Sequence, residues 1–539
     1  MRRPPSTLRT DTRTRAAYAE AAGIYRVVPE AVAIPETTSQ LMELVGWANR
    51  TRHPLILRGA GSGMPGHNVG RGVVVDLTRL DDAPLRIDTD QQTAAAGSAL
   101  TIDRLNHAAA IEGLRLPPRP SSGRWATLGG MIATNAAGAR SFRHGSIRPW
   151  VQAVALVTVD REEIRLERGQ PAPPCQPVER FRVAVEPALR AAAPVIRQRF
   201  PKTAKNSAGY ALDRWLETGD LLDLVIGAEG TLGIVTEVRL RLDRLPEAVG
   251  GLRVAVRDDV ALLACLDVLR RSGAVALEFL DGTFLRFVAE SLPSDQRPLA
   301  GAGALLLAEY EGSKADVAAA LARARRDVEP LATEVRSAEG PDALAALWDI
   351  RHQASSTLAG MDDSRRSLQV IEDGCVPAER LGDYLCLVRQ VTVAEGVPAV
   401  LFGHAGCGHV HVNLLPETHQ PGWEDAVRAV FEQVSAAQLA LGGTPAGEHG
   451  VGRLRTHLLE DLYGKEITSL FREIKSAFDP RGILNPGVII PTGESSPLSD
   501  LKVGEAAASI PDDIGEALRD IERQAAWDLP RTRLAEVPA

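Results

Sequence analysis

Short apolar runs and one helical pattern dominate the first part of the chain. The helical pattern covers residues 38–50, where apolar residues recur on one face and Thr38 or Ser39 can cap the helix. The apolar runs predict three buried strands, at 31–34, 55–57 and 73–75. This order predicts a compact βαβ unit, and a further helix is expected at 101–112.

The pattern changes near Pro246, where longer strands and helices begin to alternate. Strand-like runs lie at 252–256, 274–280 and 304–309. Long helices rich in Ala, Leu and Arg are predicted at 258–272, 314–327 and 342–360. This alternation predicts a second, α+β domain. Residues 450–487 are expected to return toward the first domain, and 491–539 to form a tail or docking segment with a helix at 513–526.

The composition is that of a globular protein. The 539 residues are 45% hydrophobic and 24% charged, and so long a chain needs more than one core. The net charge of −8 gives no indication of a nucleic-acid surface. Five scattered cysteines, without a CxxC pair, predict neither a disulfide framework nor an iron–sulfur cluster. No transmembrane stretch or signal-peptide core is found, so we expect a cytoplasmic protein, with peripheral contact to the inner membrane left open.

A glycine-rich loop, Gly59-Ala60-Gly61-Ser62-Gly63, follows the second predicted strand. Successive glycines offer backbone N–H groups to a diphosphate without side chains in the way, but such loops are also common turns. No convincing helix follows, which disfavours a nicotinamide site of the Rossmann type. Three further clusters of small residues favour a ligand over a turn, and they lie at 120–122, 128–138 and 229–235.

Histidines are concentrated near the carboxyl end of the second domain. His409 and His411 alternate with valines and so leave one face of a predicted strand, while His404 lies across a glycine turn. With Glu448 they form a nitrogen and oxygen donor set with positions left open, as a catalytic divalent metal requires. From the residues alone, a metal site and ordinary buried histidines both remain open.

Eight blocks, in one order, resemble the FAD-linked dehydrogenases that share the vanillyl-alcohol-oxidase fold, a family that includes the glycolate oxidase flavin subunit, D-lactate dehydrogenase and D-2-hydroxyglutarate dehydrogenase. The resemblance covers residue 24 to about 490. The blocks are RGAGSGMPG (58–66), PSSGRWATLGGMIATNAAG (120–138), GSIRPWV (145–151), KNSAGYALD (205–213), GAEGTLGIVTE (227–237), FGHAGCGHVHVN (402–413), GEHGVG (447–452) and FDPRGILNPG (478–487).

The resemblance implies an α+β fold with a two-subdomain, PCMH-type FAD-binding domain and an α+β substrate cap. We assign the domains to 24–245 and 246–490, between a flexible N-terminal extension (1–23) and a C-terminal tail (491–539). The core of the glycine loop lacks histidine, and the nearest, His67, comes a few residues late, so non-covalent FAD is predicted. The residues expected to bind FAD are Arg58, Gly59, Ala60, Gly61, Ser62, Gly63, Pro120, Ser121, Ser122, Thr127, Gly129, Gly130, Ala133, Asn135, Gly138, Glu229, Gly230, Ile234 and Asn485.

The resemblance also implies three metal ligands, His404, His411 and Glu448, and a general base, His449. Two residues depart from the family pattern. Cys407 stands where Asp is usual, which favours zinc over manganese, and His409 stands where Asn is usual. We expect His409 to fill the Asn position rather than to bind the metal.

A W-x-x-R element ending at Arg351 implies an anchor for the substrate carboxylate, because guanidinium binds both carboxylate oxygens at once. Ile371 lies near the position where some relatives carry a lysine, which favours a smaller acid over a dicarboxylate. The implied activity is oxidation of a small D-2-hydroxy acid, of the D-lactate, glycolate or D-2-hydroxyglutarate class, to the 2-oxo acid by hydride transfer to flavin N5.

The implied partner is a separate electron acceptor: a quinone, a cytochrome, an electron-transfer flavoprotein or an iron–sulfur subunit. A homodimer is compatible with the sequence. The alternatives are a metal-free oxidase of the same fold that uses O₂, and a non-catalytic flavin subunit that relays electrons.

Overall fold

The computed structural model describes residues 4–80, 83–292, 294, 296–361, 365–493 and 496–536. Its first sheet contains the predicted βαβ unit. The helix Thr38–Thr51 connects the first two parallel strands, and its N-cap is Thr37 rather than Thr38 or Ser39, because the Thr37 hydroxyl accepts the amide hydrogen of Gln40. In spatial order the strands are Leu8–Arg9, Ala31–Ala33, Val73–Asp76 and Leu55–Arg58.

A second, antiparallel sheet completes the first module. Its strands, in spatial order, are Arg86–Asp88, Thr93–Gly97, Ile234–Arg241, Val151–Val157 and Glu163–Glu167. A two-stranded pair joins Leu114–Arg115 to Asp243–Arg244. The module's other helices are Ile102–Ile111, Leu128–Thr134, Ser141–His144, Gln176–Arg180, Glu186–Ala191, Ala193–Arg199, Leu212–Thr218 and Leu221–Val225, with a π-helix at Phe181–Val185.

The second module is an antiparallel sheet with helices, as the alternating pattern predicts. Its strands, in spatial order, are Glu334–Glu339, Ala248–Val256, Ala304–Gly312, Ala276–Asp281, Ala399–Gly403, His409–Leu414 and Gly374–Cys375. Its α-helices are Asp259–Arg270, Gly282–Val288, Lys314–Val328, Pro341–Ala359, Leu381–Ala394 and Trp423–Ala440.

The chain then returns to the first module. The helices Leu459–Tyr463 and Lys465–Phe478 contribute to the same hydrophobic core as the second sheet. Leu55 pairs with Leu484, so residues from the far end of the predicted cap range extend the first sheet. The spatial division between the modules therefore does not follow the chain up to residue 490.

Both ends of the chain pack on the first sheet. The expected flexible start contains, within its described residues, the helix Thr12–Ala17, whose Ala16 and Ala17 are buried. The C-terminal helices Asp512–Gln524 and Thr532–Glu536 cover that sheet, so residues 512–536 form a docked segment. Within the described ranges, no helix is long and apolar enough to cross a membrane.

Candidate active site

A cavity of about 1150 Å³ lies where the two modules meet. The first module contributes the glycine loop and the small-residue clusters to its wall, and the second contributes the histidine cluster. Candidate cofactor and catalytic residues, which the sequence places far apart, therefore face one space.

Most of the predicted FAD-binding residues line this cavity. They are Arg58, Gly59, Ala60, Gly61, Ser62, Gly63, Pro120, Ser121, Ser122, Thr127, Gly129, Gly130, Ala133, Gly138, Glu229, Gly230 and Ile234. Asn135 and Asn485 are not part of the lining. Asn135 is the left-handed C-cap of the helix Leu128–Thr134, and the Asn485 side chain donates to the carbonyls of His67 and Glu229. Both residues position the loops that form the wall.

The wall is packed so closely that side chains could not be added to it. A Cβ on Gly138 would lie 2.1 Å from the carbonyl oxygen of Arg119, and one on Gly59 would lie 2.6 Å from Thr127 Oγ1. The buried guanidinium of Arg58 lies beside Gly61, and its Nη2 has no hydrogen-bond partner among the described residues. A cradle of small residues beside a buried cation that has no carboxylate partner among the described residues fits the diphosphate of FAD.

Two neighbouring strands place the three histidines. Ala399–Gly403 and His409–Leu414 are antiparallel, with Phe402 opposite His411. The turn between them contains Gly408 at φ +69°, where a Cβ would lie 2.3 Å from the carbonyl oxygen of Val376. This tight turn carries His404 to the face that His409 and His411 share, as the alternation predicts.

The imidazoles of His404 and His411 are oriented by their Nδ1 atoms. His404 Nδ1 lies 2.5 Å from Glu278 Oε1, and His411 Nδ1 donates to the carbonyl of Glu372 at 2.7 Å. Their Nε2 atoms consequently face Glu448 Oε1, at 3.1 Å and 3.6 Å. Outer hydrogen bonds of this kind are typical of histidines that bind metal. Burial and the neighbouring histidines hold the pKa of His411 well below its usual range, so it is neutral, as a ligand must be.

His409 lies in the same cluster but differs from the other two histidines. Its donor atom is within 4.8 Å of theirs. Its Nε2 donates to Asp373 Oδ1 at 2.9 Å, and its Nδ1 faces the ammonium of Lys205 at 3.4 Å. Both ring nitrogens are therefore engaged, which favours a structural role for His409 over metal binding.

Lys205 and Glu448 form a buried ion pair, with Nζ and Oε2 2.6 Å apart. Burial disfavours both charges, but the attraction between the two groups is larger than this cost. The pKa of Glu448 is therefore held well below its usual range, and the pKa of Lys205 is raised. Oε1 of Glu448 is left to face His404 and His411.

Cys407 does not contribute to the donor set. It is absent from the metal-compatible groups formed by the described residues, and its carbonyl oxygen accepts from the Cys375 thiol. Burial raises the pKa of the Cys407 thiol. The donor groups of the described residues therefore do not support the softening expected from Cys407.

His449 lines the cavity beside the cluster. Its Nδ1 lies 2.6 Å from Glu372 Oε2, and its Nε2 is 3.5 Å from Glu448 Oε1. Both carboxylate oxygens of Asp373 accept backbone N–H groups, one from Glu448 and one from His449, which fixes this turn. Burial opposes a charge on His449, but Glu372 and Asp373 outweigh it and raise its pKa to about 10. The imidazole is thus protonated at neutral pH in this environment.

Arg351 also reaches the cavity, from the helix Pro341–Ala359. Its Nε donates to Glu278 Oε2 at 3.0 Å, and its guanidinium carbon lies 4.7 Å from the centre of the Phe402 ring. Glu278 therefore joins Arg351 to His404. The predicted residues of the second module, Arg351, His404, His411, Glu448 and His449, all lie on one wall.

The sequence analysis missed charged residues in and behind this wall, of which Glu278 and Glu372 line the cavity. Lys205, Glu278, Glu372 and Asp373 are at most 6% exposed, and they orient or neutralise the histidines and Glu448. A signal was present for Glu278, Glu372 and Asp373, since an acid within an apolar run must be paired when the run is buried. Ile371 stands where some relatives carry a lysine and supplies no charge. The cluster nevertheless contains a lysine, Lys205, which comes from the KNSAGYALD block.

Two family models match the chain. The FAD binding domain matches residues 29–167, and the C-terminal domain of FAD linked oxidases matches residues 226–489. Together the two matches cover most of the chain.

Curated relatives align over nearly the same range. A D-lactate dehydrogenase of Archaeoglobus fulgidus is 27% identical, over 85% of this chain and 90% of the relative. The glycolate oxidase subunit GlcD of Bacillus subtilis is 28% identical, over 86% of this chain and 89% of the relative. A D-2-hydroxyglutarate dehydrogenase of Pseudomonas putida is 29% identical over 91% of this chain, but the alignment spans only 51% of that relative.

Solved structures show the fold. The 4-ethylphenol oxidase of Gulosibacter chungangensis superposes with a TM-score of 0.65 at 14% identity, and p-cresol methylhydroxylase with 0.64 at 13%. Each superposition covers 90% of this chain and 94% of the other. The architecture is thus a PCMH-type FAD-binding module with a cap, and the chain is an FAD-dependent oxidoreductase that carries the FAD-binding and C-terminal domains of FAD-linked oxidases.

Proposed function

We propose that this protein oxidises a small D-2-hydroxy acid to the corresponding 2-oxo acid. The observation that carries the proposal is the wall on which Arg351, His449 and the His404/His411/Glu448 donors face the same cavity as the FAD cradle. A hydroxy acid needs a cation for its carboxylate and a group that takes its hydroxyl proton, and this wall offers both. The relatives named for D-lactate, glycolate and D-2-hydroxyglutarate support the same substrate class.

Bound FAD supplies a two-electron acceptor for the Cα–H bond. The protein's own residues do the rest. Arg351 pairs with the carboxylate and fixes the orientation of the substrate, while its bond to Glu278 and its stacking on Phe402 hold the guanidinium in place. The packed wall of small residues excludes water from the reacting bond.

His449 accepts the hydroxyl proton in this proposal, and Nε2 is the available atom because Nδ1 is bonded to Glu372. The base must be neutral before turnover, yet the surrounding carboxylates favour its charged form. A divalent cation held by His404, His411 and Glu448 would add positive charge next to His449 and lower its pKa. It would also polarise the substrate hydroxyl. Zinc and manganese both suit a donor set of two nitrogens and one oxygen.

One observation favours a second candidate, a metal-free oxidase of the same fold. The ammonium of Lys205 already lies against Glu448 and faces His409, so positive charge is present in the cluster without a metal. A pure electron-relay subunit is disfavoured, because it has no need for this set of ionisable groups.

We further propose that FAD is held without a covalent bond. His67 lines the cavity, and its ring lies against Gly63, so it is closer to the cradle than its place in the sequence implies. Its Nδ1, however, lies 3.1 Å from Glu229 Oε2. After acid precipitation the flavin should stay in the supernatant, for the wild type and for His67→Ala alike. Flavin in the wild-type pellet alone would show attachment at His67.

The decisive experiment is a dye-linked assay of D- and L-2-hydroxy acids, with elemental analysis and a chelator. We expect reduction with a small D-acid, about one equivalent of zinc or manganese, and loss of activity on chelation that added metal restores. An artificial dye stands in for the separate electron acceptor. Full activity in metal-free protein would favour the Lys205 alternative, and no reduction by any 2-hydroxy acid would overturn the proposed function.

A further inference from the structure

The C-terminal segment 512–531 lies outside both family matches, yet it packs against the cofactor module. Ile514, Leu518 and Ile521, on one face of its helix, belong to the same buried cluster as Tyr18 and Ile56. This face covers the outer side of the first sheet, next to the strand that leads into the glycine loop. Apolar burial alone accounts for the docking of the helix.

The residues that follow the helix extend this cover, since Ala526, Trp527 and Leu529 pack against the same cluster, but they also reach the cavity. The chain turns at Ala525, which has φ +49°, and Trp527 then lines the same cavity as the glycine loop. Asp528 lies 3.3 Å from the guanidinium of Arg124, which belongs to the small-residue stretch at 120–138. The segment thus reaches the FAD cradle at two points beyond the sheet.

Behind Trp527 lies a buried and unpaired cation. Arg531 is 4% exposed, its guanidinium carbon is 5.2 Å from the Trp527 ring centre, and its Nε, Nη1 and Nη2 have no hydrogen-bond partner among the described residues. Burial, and then the nearby Arg58, lower its pKa to about 9. Two like charges in the interior are costly, so this arrangement calls for an anion.

The neighbouring acids are already engaged. Asp76 accepts the hydroxyl of Tyr18 at 2.5 Å and the backbone and side chain of Thr78, while Glu20 pairs with Arg26 at 2.6 Å. The face still open to Arg58 is the glycine loop, since a Cβ on Gly61 would lie 2.5 Å from Arg58 Nη2. The excess positive charge therefore lies directly behind the loop that fits a diphosphate.

We propose that segment 512–531 is part of the FAD-binding site, in which Trp527 forms cavity wall and Arg531 is a positioning residue that holds Trp527 and adds positive charge behind the diphosphate loop. The anionic diphosphate of FAD offsets the charges of Arg58 and Arg531, and the stacked Arg531 keeps Trp527 in place. The proposal rests on FAD binding, and it is independent of which substrate the enzyme oxidises.

The test measures release of FAD from the full-length holoprotein after dilution, followed by flavin fluorescence. Arg531→Met and Trp527→Ala should release FAD at least ten times faster than the wild type. Arg531→Lys, which keeps the charge, should lie nearer the wild type. The matched control is Arg533→Met, the same change at an exposed position two residues along, and it should have no effect.

A second measurement separates cofactor binding from a general loss of packing. Added FAD raises the Tm of any protein that binds it only in the folded state, and this increment should shrink for Arg531→Met and Trp527→Ala. Leu534→Ala removes a buried side chain of the next helix, Thr532–Glu536, outside the cavity lining, so it should lower the Tm but keep the increment. Release rates and increments equal to those of Arg533→Met would overturn the proposal and leave the segment as a cover for the sheet.

Discussion

The FAD cradle and the histidine cluster face one cavity but are built on opposite principles. The cradle is made of backbone and small residues, and its glycines touch neighbouring carbonyls and side chains so closely that a Cβ would clash. The cluster is made of large ionisable side chains, almost all buried, whose charges balance one another. The cradle should therefore be sensitive to added volume, and the cluster to any lost charge.

The largest effect is expected from Glu448→Ala in the cluster. This change leaves the Lys205 ammonium buried without its partner, which costs about 3–5 kcal/mol of unfolding free energy. Urea unfolding of the variant measures the loss. The double variant Lys205→Met, Glu448→Gln should regain most of the stability without regaining metal. If Glu448→Ala alone unfolds at the wild-type urea concentration, the cluster does not depend on charge balance.

An acid on the cradle side tests whether charge balance matters there too. Glu522, at the cavity edge, contacts Lys502, Arg366 and Arg519. Burial alone would raise its pKa, but these cations lower it to about 2, from an ordinary 4.5. Because the pKa is depressed on folding, the stabilisation of about 2–3 kcal/mol is present above pH 4.5 and is lost as the pH falls toward 2.

Glu522→Gln should lose this contribution and, with it, part of the acid sensitivity. Unfolding free energies of the two proteins, measured between pH 3 and 7, should converge at the acidic end. A constant difference across that range would show that Glu522 is not held by its charge.

Added volume in the cradle should lower the free energy of unfolding by about 1–3 kcal/mol. In Gly138→Ala the new methyl group would meet the carbonyl oxygen of Arg119, so the two backbone segments must separate. We expect weaker FAD retention, measured as the flavin content of the purified protein. Gly301→Ala is the matched control, because no atom lies within 4 Å of its Cβ position. Full flavin content in Gly138→Ala would show that the cradle yields more easily than its packing indicates.

The smallest effect is expected from Arg351→Met. This change removes one charge from the cavity wall, but the partner of Arg351 in the cluster, Glu278, still has a second partner. Glu278 keeps its bond to His404. We expect KM for the hydroxy acid to rise and kcat/KM to fall roughly tenfold. This corresponds to a loss of about 1.5 kcal/mol of transition-state stabilisation, as expected when a charged hydrogen-bond partner is lost. FAD and metal content should not change. Steady-state kinetics identical to the wild type would make Arg351 a structural residue.

The same contrast explains what the sequence could predict. A cradle of backbone and small residues appears as contiguous glycine-rich strings, so most of the residues expected to bind FAD do line the cavity, although further residues such as Ser98 and Trp125 line it too. The positions of Asn135 and Asn485 were not predicted, because the same strings also supply the residues that hold the loops from behind. Local motifs show which segments form a wall, but they do not show which side chains face the cavity.

The cluster was predicted only in part. Its histidines and Glu448 occur in two motifs, but the ion pair with Lys205 joins positions that only the tertiary fold brings together. The high pKa of His449 has the same origin, since Glu372 and Asp373 come from a different segment. The docking of the C-terminal helix was left open for a similar reason: an amphipathic pattern predicts a buried face and does not identify the surface that covers it.

The first sheet is completed by both ends of the chain. Leu55 bonds to Ile483 and Asn485, Arg13 bonds to Asp513, and the final helices cover the sheet's outer face. During synthesis on the ribosome, the βαβ unit emerges early. Its edge and its outer face are covered only when residues 483–485 and the C-terminal helices have also been made. Until then its apolar surface is available to chaperones, so we expect nascent chains that stop short of residue 510 to be held rather than to fold.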